Sequence, residues 1–176
     1  MAPYFYGGAL SRAIMRFKYE GRNDLAEPLG GLLFRALTTT HRLVVPVDVV
    51  VPVPLHPERL RERGFNQSAL LAQHAARACG ARMMHALIRV RPTEKQALGT
   101  RQMRLANVEG AFLAHRAVHG LRVLLVDDVC TTGATLKSCA LALRVAGARD
   151  VQCVALSQTW DAPSPPHEKR AIIKLS

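Results

Sequence analysis

The sequence predicts an α/β protein in which helices cover both faces of a doubly wound, mostly parallel β-sheet, giving three layers. Residues 48–53, 121–126 and 151–156 are nearly continuous apolar runs, and helical patterns separate them along the chain. Strands without a polar face are typical of parallel sheets that are covered on both sides. A length of 176 residues is enough for one domain with its own core. We therefore expect residues 1–160 to form a single domain.

Residues 1–40 are predicted to form a helical segment before the first of these strands. Apolar residues, including Phe17, recur three or four positions apart in its first helix, and basic residues lie mainly on the other side. We expect this helix to end at Gly21. Asp24 is expected to cap a second helix, which carries several leucines between positions 25 and 37.

The same patterns predict the remaining elements. In chain order these are a helix over residues 66–79, a strand over 83–90, a short strand over 110–113 and a helix over 133–146. Residues 89–107 are polar and basic and contain Pro92 and Gly99, which indicates a flexible loop. Because three prolines follow Trp160, we expect residues 161–176 to be a loosely ordered tail.

Charge and cysteine content narrow the class of partner and compartment. The chain has 24 Lys and Arg against 13 Asp and Glu, a net charge of +11, which favours phosphorylated metabolites, nucleic acid or both. Its 4 cysteines form no CxxC pair, which argues against a zinc site and suits a reducing compartment. The basic residues near the N-terminus follow the first apolar stretch, unlike those of a signal peptide. We expect a cytoplasmic protein that does not insert into membranes.

The segment that carries chemistry follows the apolar run at 121–126. Asp127 and Asp128 come first, and a short loop rich in threonine and glycine then leads into a predicted helix. Ligands of open parallel sheets bind at the carboxyl ends of strands, and a helix N-terminus offers N–H groups to a phosphate. Carboxylates accept hydrogen bonds from vicinal hydroxyls. The segment therefore predicts a site for a sugar phosphate, with the diol on the acids and the phosphate in the loop.

Two other interpretations of this segment are weaker. Asp128 and Thr131 could simply cap the following helix, which leaves the second acid and the other threonines unexplained. A strand that ends in acids also occurs in P-loop NTPases, but the sequence contains no GxxxxGK[ST] motif, and it contains no GxGxxG motif for a dinucleotide.

Cys130 lies close to the predicted helix N-terminus, where the pKa of a thiol falls.

Residues 123–135 resemble the 5-phosphoribosyl-1-pyrophosphate (PRPP) signature of type I phosphoribosyltransferases. More narrowly, the chain resembles the ComF/GntX family. That resemblance rests on FKYEGR at 17–22, VPVPLHP at 51–57, RLRERGFNQS at 59–68, and Thr100, Arg101, Arg104 and Asn107 before GAF at 110–112. It covers about residues 6–159 and implies a phosphoribosyltransferase-like fold. Full-length members usually carry an N-terminal four-cysteine zinc module, which this sequence does not contain.

The resemblance also implies the site residues. Asp127 and Asp128 would hold the ribose hydroxyls, and the 5′-phosphate would lie along Val129, Cys130, Thr131, Thr132, Gly133, Ala134 and Thr135. The turn after the first strand would face the pyrophosphate, with Leu55, His56, Arg59 and Arg63. The loop at 89–107 would close over the reaction centre and contribute Lys95, Gln96, Arg101 and Arg104. The catalytic candidates are Asp127, Asp128, Lys95 and Arg101, and Mg²⁺ would enter with PRPP rather than through a Cys or His site.

The implied function is transfer of the phosphoribosyl group to a nitrogen acceptor, with release of pyrophosphate, linked to natural competence and DNA uptake. The alternatives are a non-catalytic accessory protein that binds single-stranded DNA, or a PRPP sensor. Partners considered besides PRPP are single-stranded DNA, proteins of the competence machinery and a second copy of the chain. Candidates for nucleic-acid contact are Arg12, Arg16, Lys18 and Arg22, which interleave with aromatic residues. The helical spacing of Phe17 instead favours an ordinary amphipathic helix at this place.

Overall fold

The computed structural model of the chain describes residues 2–39, 46–91 and 110–159. Seven strands lie in these ranges: β1 (Tyr4–Phe5), β2 (Val49–Pro52), β3 (Arg82–Met83), β4 (Leu87–Arg89), β5 (Phe112–Ala114), β6 (Arg122–Cys130) and β7 (Asp150–Gln158). Five of them form one sheet in the order β1-β7-β6-β2-β3, and every pairing in it is parallel. Strands β4 and β5 form a separate antiparallel pair.

Five α-helices accompany the strands within these ranges. They are α1 (Gly8–Tyr19), α2 (Ala26–Thr39), α3 (Pro57–Arg63), α4 (Gln67–Cys79) and α5 (Ala134–Val145). Short 3₁₀ turns occupy Asn23–Leu25 and Arg116–Val118. Among residues 2–39, 46–91 and 110–159, no helix has both the length and the apolar character that a membrane crossing requires.

The main sheet is the middle of three layers, as the sequence predicted. On one face, Leu124 and Val126 of β6 pack with buried residues of α1, α2 and α4. On the other face, Val123 and Leu125 pack against α5 and the β4–β5 pair, which contributes Phe112. Alternate residues of the central strand thus enter different cores, so neither face of β6 is polar until its last few residues.

Two predicted boundaries were wrong. The predicted strand at 83–90 is two strands, because the chain leaves the main sheet after Met84, whose N–H donates to the carbonyl of Val50, and then pairs with β5. The predicted strand at 121–126 continues to Cys130, because β7 runs beside it as far as Gln158. As a result, Asp127 and Asp128 lie within the last part of β6 rather than beyond its end.

The predicted cap of the second helix was also wrong. Asp24 lies in a 3₁₀ turn, and its two carboxylate oxygens accept hydrogen bonds of 2.8 and 2.6 Å from Arg22. By contrast, α4 begins one residue after Asn66, whose side-chain oxygen accepts a 3.0 Å hydrogen bond from the Ser68 N–H, as an N-cap does. The start of the loop expected at 89–107 was wrong, because Arg89 lies in β4 and the Val90 N–H still donates to the Ala111 carbonyl. Residues 92–107 of that loop and the expected tail at 161–176 fall outside the described residues.

Candidate functional site

The exits of β2 and β6 meet at one edge of the sheet and bring separate parts of the sequence together. The two strands are parallel neighbours, and just after β2 the Val53 N–H donates a 2.9 Å hydrogen bond to the carbonyl of Val126. Asn66 then ties the start of α4 to the same place, because its side-chain amide donates to the Val53 carbonyl over 3.0 Å. The starts of α3 and α4 therefore lie beside the acidic end of β6.

Asp127 is half-buried at this edge and is held through one oxygen. Its Oδ1 accepts a 2.9 Å hydrogen bond from the Ser68 hydroxyl and another of 2.9 Å from the Asp128 N–H. Burial, together with the adjacent charge of Asp128, raises the pKa of Asp127 to about 7, although Lys18 and the two hydrogen bonds act in the opposite direction. Asp127 can therefore change its charge near neutral pH.

Asp128 is more deeply buried and forms an ion pair. Its side chain is 9% exposed, and its Oδ1 lies 2.8 Å from the Nζ of Lys18, at the end of α1. Burial alone would lower the pKa of Lys18, but the charge of Asp128 and the hydrogen bond to it raise that pKa above its ordinary value. Lys18 thus stays charged and supplies the partner that a buried carboxylate requires.

Each acid therefore makes its side-chain contacts with the protein through Oδ1. Among the described residues, the Oδ2 atoms of Asp127 and Asp128 form no hydrogen bond or ion pair. An unengaged carboxylate oxygen can accept a hydrogen bond from a hydroxyl group of a ligand.

The loop after the acids turns sharply into α5. Gly133 adopts the left-handed conformation, with φ of 76°, which lets the chain reverse directly before the helix. The Ala134 N–H donates to the Thr132 hydroxyl oxygen over 3.3 Å, and Thr131 is exposed. Thr132 rather than Asp128 or Thr131 therefore contacts the first helical N–H. The 12-residue helix presents its positive end to the loop, where it favours a bound anion.

The other residues of the loop are buried or partly buried in the protein. Cys130 and Ala134 are buried, whereas Val129 and Thr135 are partly exposed. Burial raises the pKa of the Cys130 thiol, opposite to the lowering that its position near a helix N-terminus led us to expect.

The turn after β2 also lies at this edge. His56 precedes the first residue of α3, and its largely buried Nδ1 is 3.5 Å from Glu58 Oε2. Arg59 pairs with Glu62 over 2.7 Å, in an exposed contact that a ligand could replace at little cost. Arg63 donates a 3.0 Å hydrogen bond to the Gln67 side-chain oxygen, and Leu55 is partly exposed.

The basic residues near the N-terminus are mostly engaged in ion pairs. Arg16 pairs with Glu20 over 2.9 Å, Arg22 pairs with Asp24 over 2.6 Å, and Lys18 is committed to Asp128. Arg12 is exposed. Three of the four candidates for nucleic-acid contact therefore already have an acidic partner.

Sequence reasoning did not anticipate Ser68 and Lys18 as partners of the two acids. The only indication in the sequence was that each lies within a motif that carries the family resemblance, and neither motif shows which of its side chains faces the site. Arg89 is a further basic group close enough to Asp127 to interact with its charge, and its guanidinium lies 5.5 Å from the centre of the Phe112 ring. Four predicted loop residues lie outside the described part of the chain: Lys95, Gln96, Arg101 and Arg104.

Comparisons with known proteins show which family the chain belongs to. The family described as "Phosphoribosyl transferase domain" matches residues 67–175, which include the acids and the loop. The DNA utilization protein YhgH of Salmonella typhi is 36% identical over 158 residues, covering 88% of this chain and 69% of that protein. Competence protein F of Haemophilus influenzae is 33% identical over 156 residues, covering 85% of this chain and 68% of that protein.

A solved structure supports the same fold. Glutamine PRPP amidotransferase from B. subtilis, complexed with ADP and GMP, superposes with a TM-score of 0.54 and 26% identity, covering 80% of this chain. The chain spans only 30% of the length of that protein, so the likeness concerns one domain of a larger chain. The family match, the two relatives and the parallel sheet together show that this chain belongs to the ComF family of proteins with a phosphoribosyltransferase domain.

Proposed function

We propose that the chain binds PRPP at the end of β6 and transfers its phosphoribosyl group to a nitrogen acceptor. Asp127 and Asp128 would accept hydrogen bonds from the ribose hydroxyls, and the loop from Thr131 to Thr135 would hold the 5′-phosphate. The pyrophosphate would face the turn at Leu55 and His56, where Arg59 and Arg63 provide positive charge.

One observation carries the proposal. Two adjacent carboxylates, each with Oδ2 unengaged among the described residues, stand directly before a left-handed glycine turn and a helix N-terminus. Carboxylate oxygens that could accept from hydroxyls, and a loop suited to a phosphate, are thus a few residues apart on one strand and its exit. A sugar that carries both a diol and a phosphate matches both halves of the site.

In the proposed reaction, the bond between C1 of the ribose and the pyrophosphate oxygen breaks, and a bond from the acceptor nitrogen to C1 forms. The pyrophosphate leaves with the electron pair, and the acceptor nitrogen loses its proton. The residues of this chain would act by holding the sugar in place and by stabilising negative charge on the leaving group. Mg²⁺, when bound with PRPP, would neutralise further charge on the pyrophosphate oxygens.

The residues at the site are compatible with a magnesium-bound diphosphate. Magnesium prefers oxygen ligands and is often held largely by substrate phosphates, with few protein groups. Since the unengaged oxygens of Asp127 and Asp128 are assigned to the ribose hydroxyls, Mg²⁺ would be held mainly by oxygens of the substrate, while the basic side chains of Arg59 and Arg63 suit the phosphates. Lys95 and Arg101 remain proposed catalytic groups of the loop that lies outside the described residues.

Isothermal titration calorimetry with PRPP and Mg²⁺ tests the binding step. We expect saturable binding that Asp127→Asn and Asp128→Asn each weaken by about tenfold or more, because a hydrogen bond to a charged group is lost. Asp150→Asn, at the opposite end of the sheet, is the matched control and should bind normally. Unchanged binding by both site variants would mean that the ribose assignment is wrong.

The transfer step needs a separate assay. Pyrophosphate release from PRPP should be followed with a panel of nitrogen bases and amines as acceptors. An acceptor-dependent signal that disappears in Asp128→Asn supports an enzyme. Tight PRPP binding without release in any mixture would favour the PRPP sensor instead.

We further propose that the protein acts in the cytoplasm, in the use or uptake of DNA, with a second copy of itself or proteins of the competence machinery as partners. The relatives named for competence and DNA utilization support the link. The net charge of +11 supports direct contact with single-stranded DNA as the alternative function. Such binding should fall steeply with added salt and should be unaffected by Asp128→Asn.

A further inference from the structure

Lys18 joins the N-terminal helix to the acidic end of β6. Its Nζ lies 2.8 Å from Oδ1 of Asp128, and the two side chains are only 19% and 9% exposed. The helix is anchored on both sides of this residue. Phe17 is fully buried, with its ring centre 5.4 Å from that of Phe65, and the Tyr19 ring lies 4.9 Å from the guanidinium carbon of Arg63. Packing therefore fixes the turn of the helix from which Lys18 projects.

Such a buried pair is not explained by stability alone. Removing two charges from water is expensive, and apolar residues of similar size stabilise a fold equally well or better. The two acids are also held alike, because Ser68 contacts Oδ1 of Asp127 and Lys18 contacts Oδ1 of Asp128. Each carboxylate is fixed by one oxygen, and its Oδ2 remains unengaged among the described residues.

We propose that Lys18 is a positioning residue that orients Asp128, so that Oδ2 of Asp128 receives one ribose hydroxyl while Oδ2 of Asp127 receives the other. The inference rests on the proposed sugar-phosphate site and deepens it, because it makes the N-terminal helix part of the recognition of the ribose diol. A sugar that lacks the hydroxyl bound by Asp128 loses the contact that Lys18 organises.

The test compares ribose 5-phosphate with two ligands that each lack one hydroxyl, 2-deoxyribose 5-phosphate and 3-deoxyribose 5-phosphate. We expect the unchanged chain to prefer ribose 5-phosphate over each of them by about tenfold or more in dissociation constant, since one hydrogen bond to a carboxylate is at stake. Lys18→Met should reduce one of these two preferences to about threefold or less, since Asp128 is no longer oriented, and should leave the other unchanged. Lys18→Arg, which keeps the charge and can still pair with Asp128, should restore most of the preference.

Further variants separate positioning from general damage. Arg77→Met, at the far end of α4, is the matched control and should keep the full preference. Lys18→Gln retains a polar donor without the charge, and it should show the same reduced preference if Lys18→Met does not fold. Circular dichroism establishes that each variant is folded before its ratio of dissociation constants is interpreted.

Two outcomes would overturn the inference while leaving the proposed function intact. In one, the folded Lys18→Met and Lys18→Gln variants keep the full preference for ribose 5-phosphate over both deoxy compounds. In the other, these variants bind all three ligands less tightly by the same factor and Lys18→Arg restores nothing, which is the result of a purely structural role. A third outcome, in which the unchanged chain binds neither sugar phosphate nor PRPP, would reject the proposed function and this inference together.

Discussion

Replacing Asp127 by asparagine should make the protein more stable at alkaline pH while weakening PRPP binding. The pKa of this carboxyl is raised because burial and the adjacent Asp128 disfavour its charged form. A group whose pKa is raised on folding contributes stability below its ordinary pKa, and this contribution is lost as the pH rises towards the folded value. For Asp127 the loss runs from about pH 4, the ordinary value, to about pH 7.

The size of the effect follows from these two values. One step in pKa corresponds to about 1.4 kcal/mol, so a rise from about 4 to about 7 sets an upper limit of about 4 kcal/mol on the destabilisation above pH 7. An amide can still accept the Ser68 hydrogen bond but loses the attraction of Lys18. We therefore expect Asp127→Asn to increase the free energy of unfolding by about 2 kcal/mol at pH 8, and by about a third of that at pH 5.

Urea unfolding followed by circular dichroism at pH 5 and pH 8 measures both quantities. Asp150→Asn, at the start of β7, serves as the control for a change of charge elsewhere in the sheet and should not reproduce the pH dependence. A loss of stability at pH 8, or a gain that is equal at the two pH values, would refute the reasoning about Asp127.

Three further predictions concern the scaffold. Gly30→Ala should destabilise the protein by about 1–3 kcal/mol, because its Cβ would lie 2.1 Å from the His74 ring. Gly31→Ala in the same helix meets no atom of the described residues within 4 Å and should stabilise by up to about 1 kcal/mol; thermal unfolding separates the two. Asp48→Asn should lower the free energy of unfolding at pH 7, because hydrogen bonds from Arg122 lower the pKa of Asp48 to about 2. The difference in stability from the unchanged chain should fade as the pH falls from about 4 to about 2. Urea unfolding at a series of pH values measures it. Gly133→Ala should lower the free energy of unfolding by about 1–2 kcal/mol, because a residue with a Cβ is strained at φ of 76°. Urea unfolding measures this change, and an unchanged midpoint would contradict this view of the turn.

Much of the fold was predictable because its main signals are local. A buried parallel strand has no polar face, so residues 49–52 and 122–126 were recognisable, and α4 has an asparagine cap directly before its first residue. What the sequence did not show was non-local pairing. The division near Met84 depends on the separate partner strand β5, and the extension of β6 to Cys130 depends on how far β7 continues beside it.

The candidate site was predictable in part for the same reason. Asp127, Asp128 and the glycine turn are contiguous, and the chemistry of a strand end and a helix start is readable from neighbouring residues. Lys18 was placed on the polar side of an amphipathic helix, which is correct as a pattern. That this side faces the acidic end of β6 depends on how α1 packs through Phe17, and no periodicity contains that information.

The central claim is that the acidic pair and the following loop bind opposite ends of one sugar phosphate. A crystal structure of the protein grown with PRPP and Mg²⁺ tests it most directly. We predict ribose hydroxyls within hydrogen-bonding distance of Oδ2 of Asp127 and Asp128, with the 5′-phosphate against the backbone of the loop from Thr131 to Thr135. Well-defined PRPP at another place, with both carboxylates held as they are without it, would contradict the account.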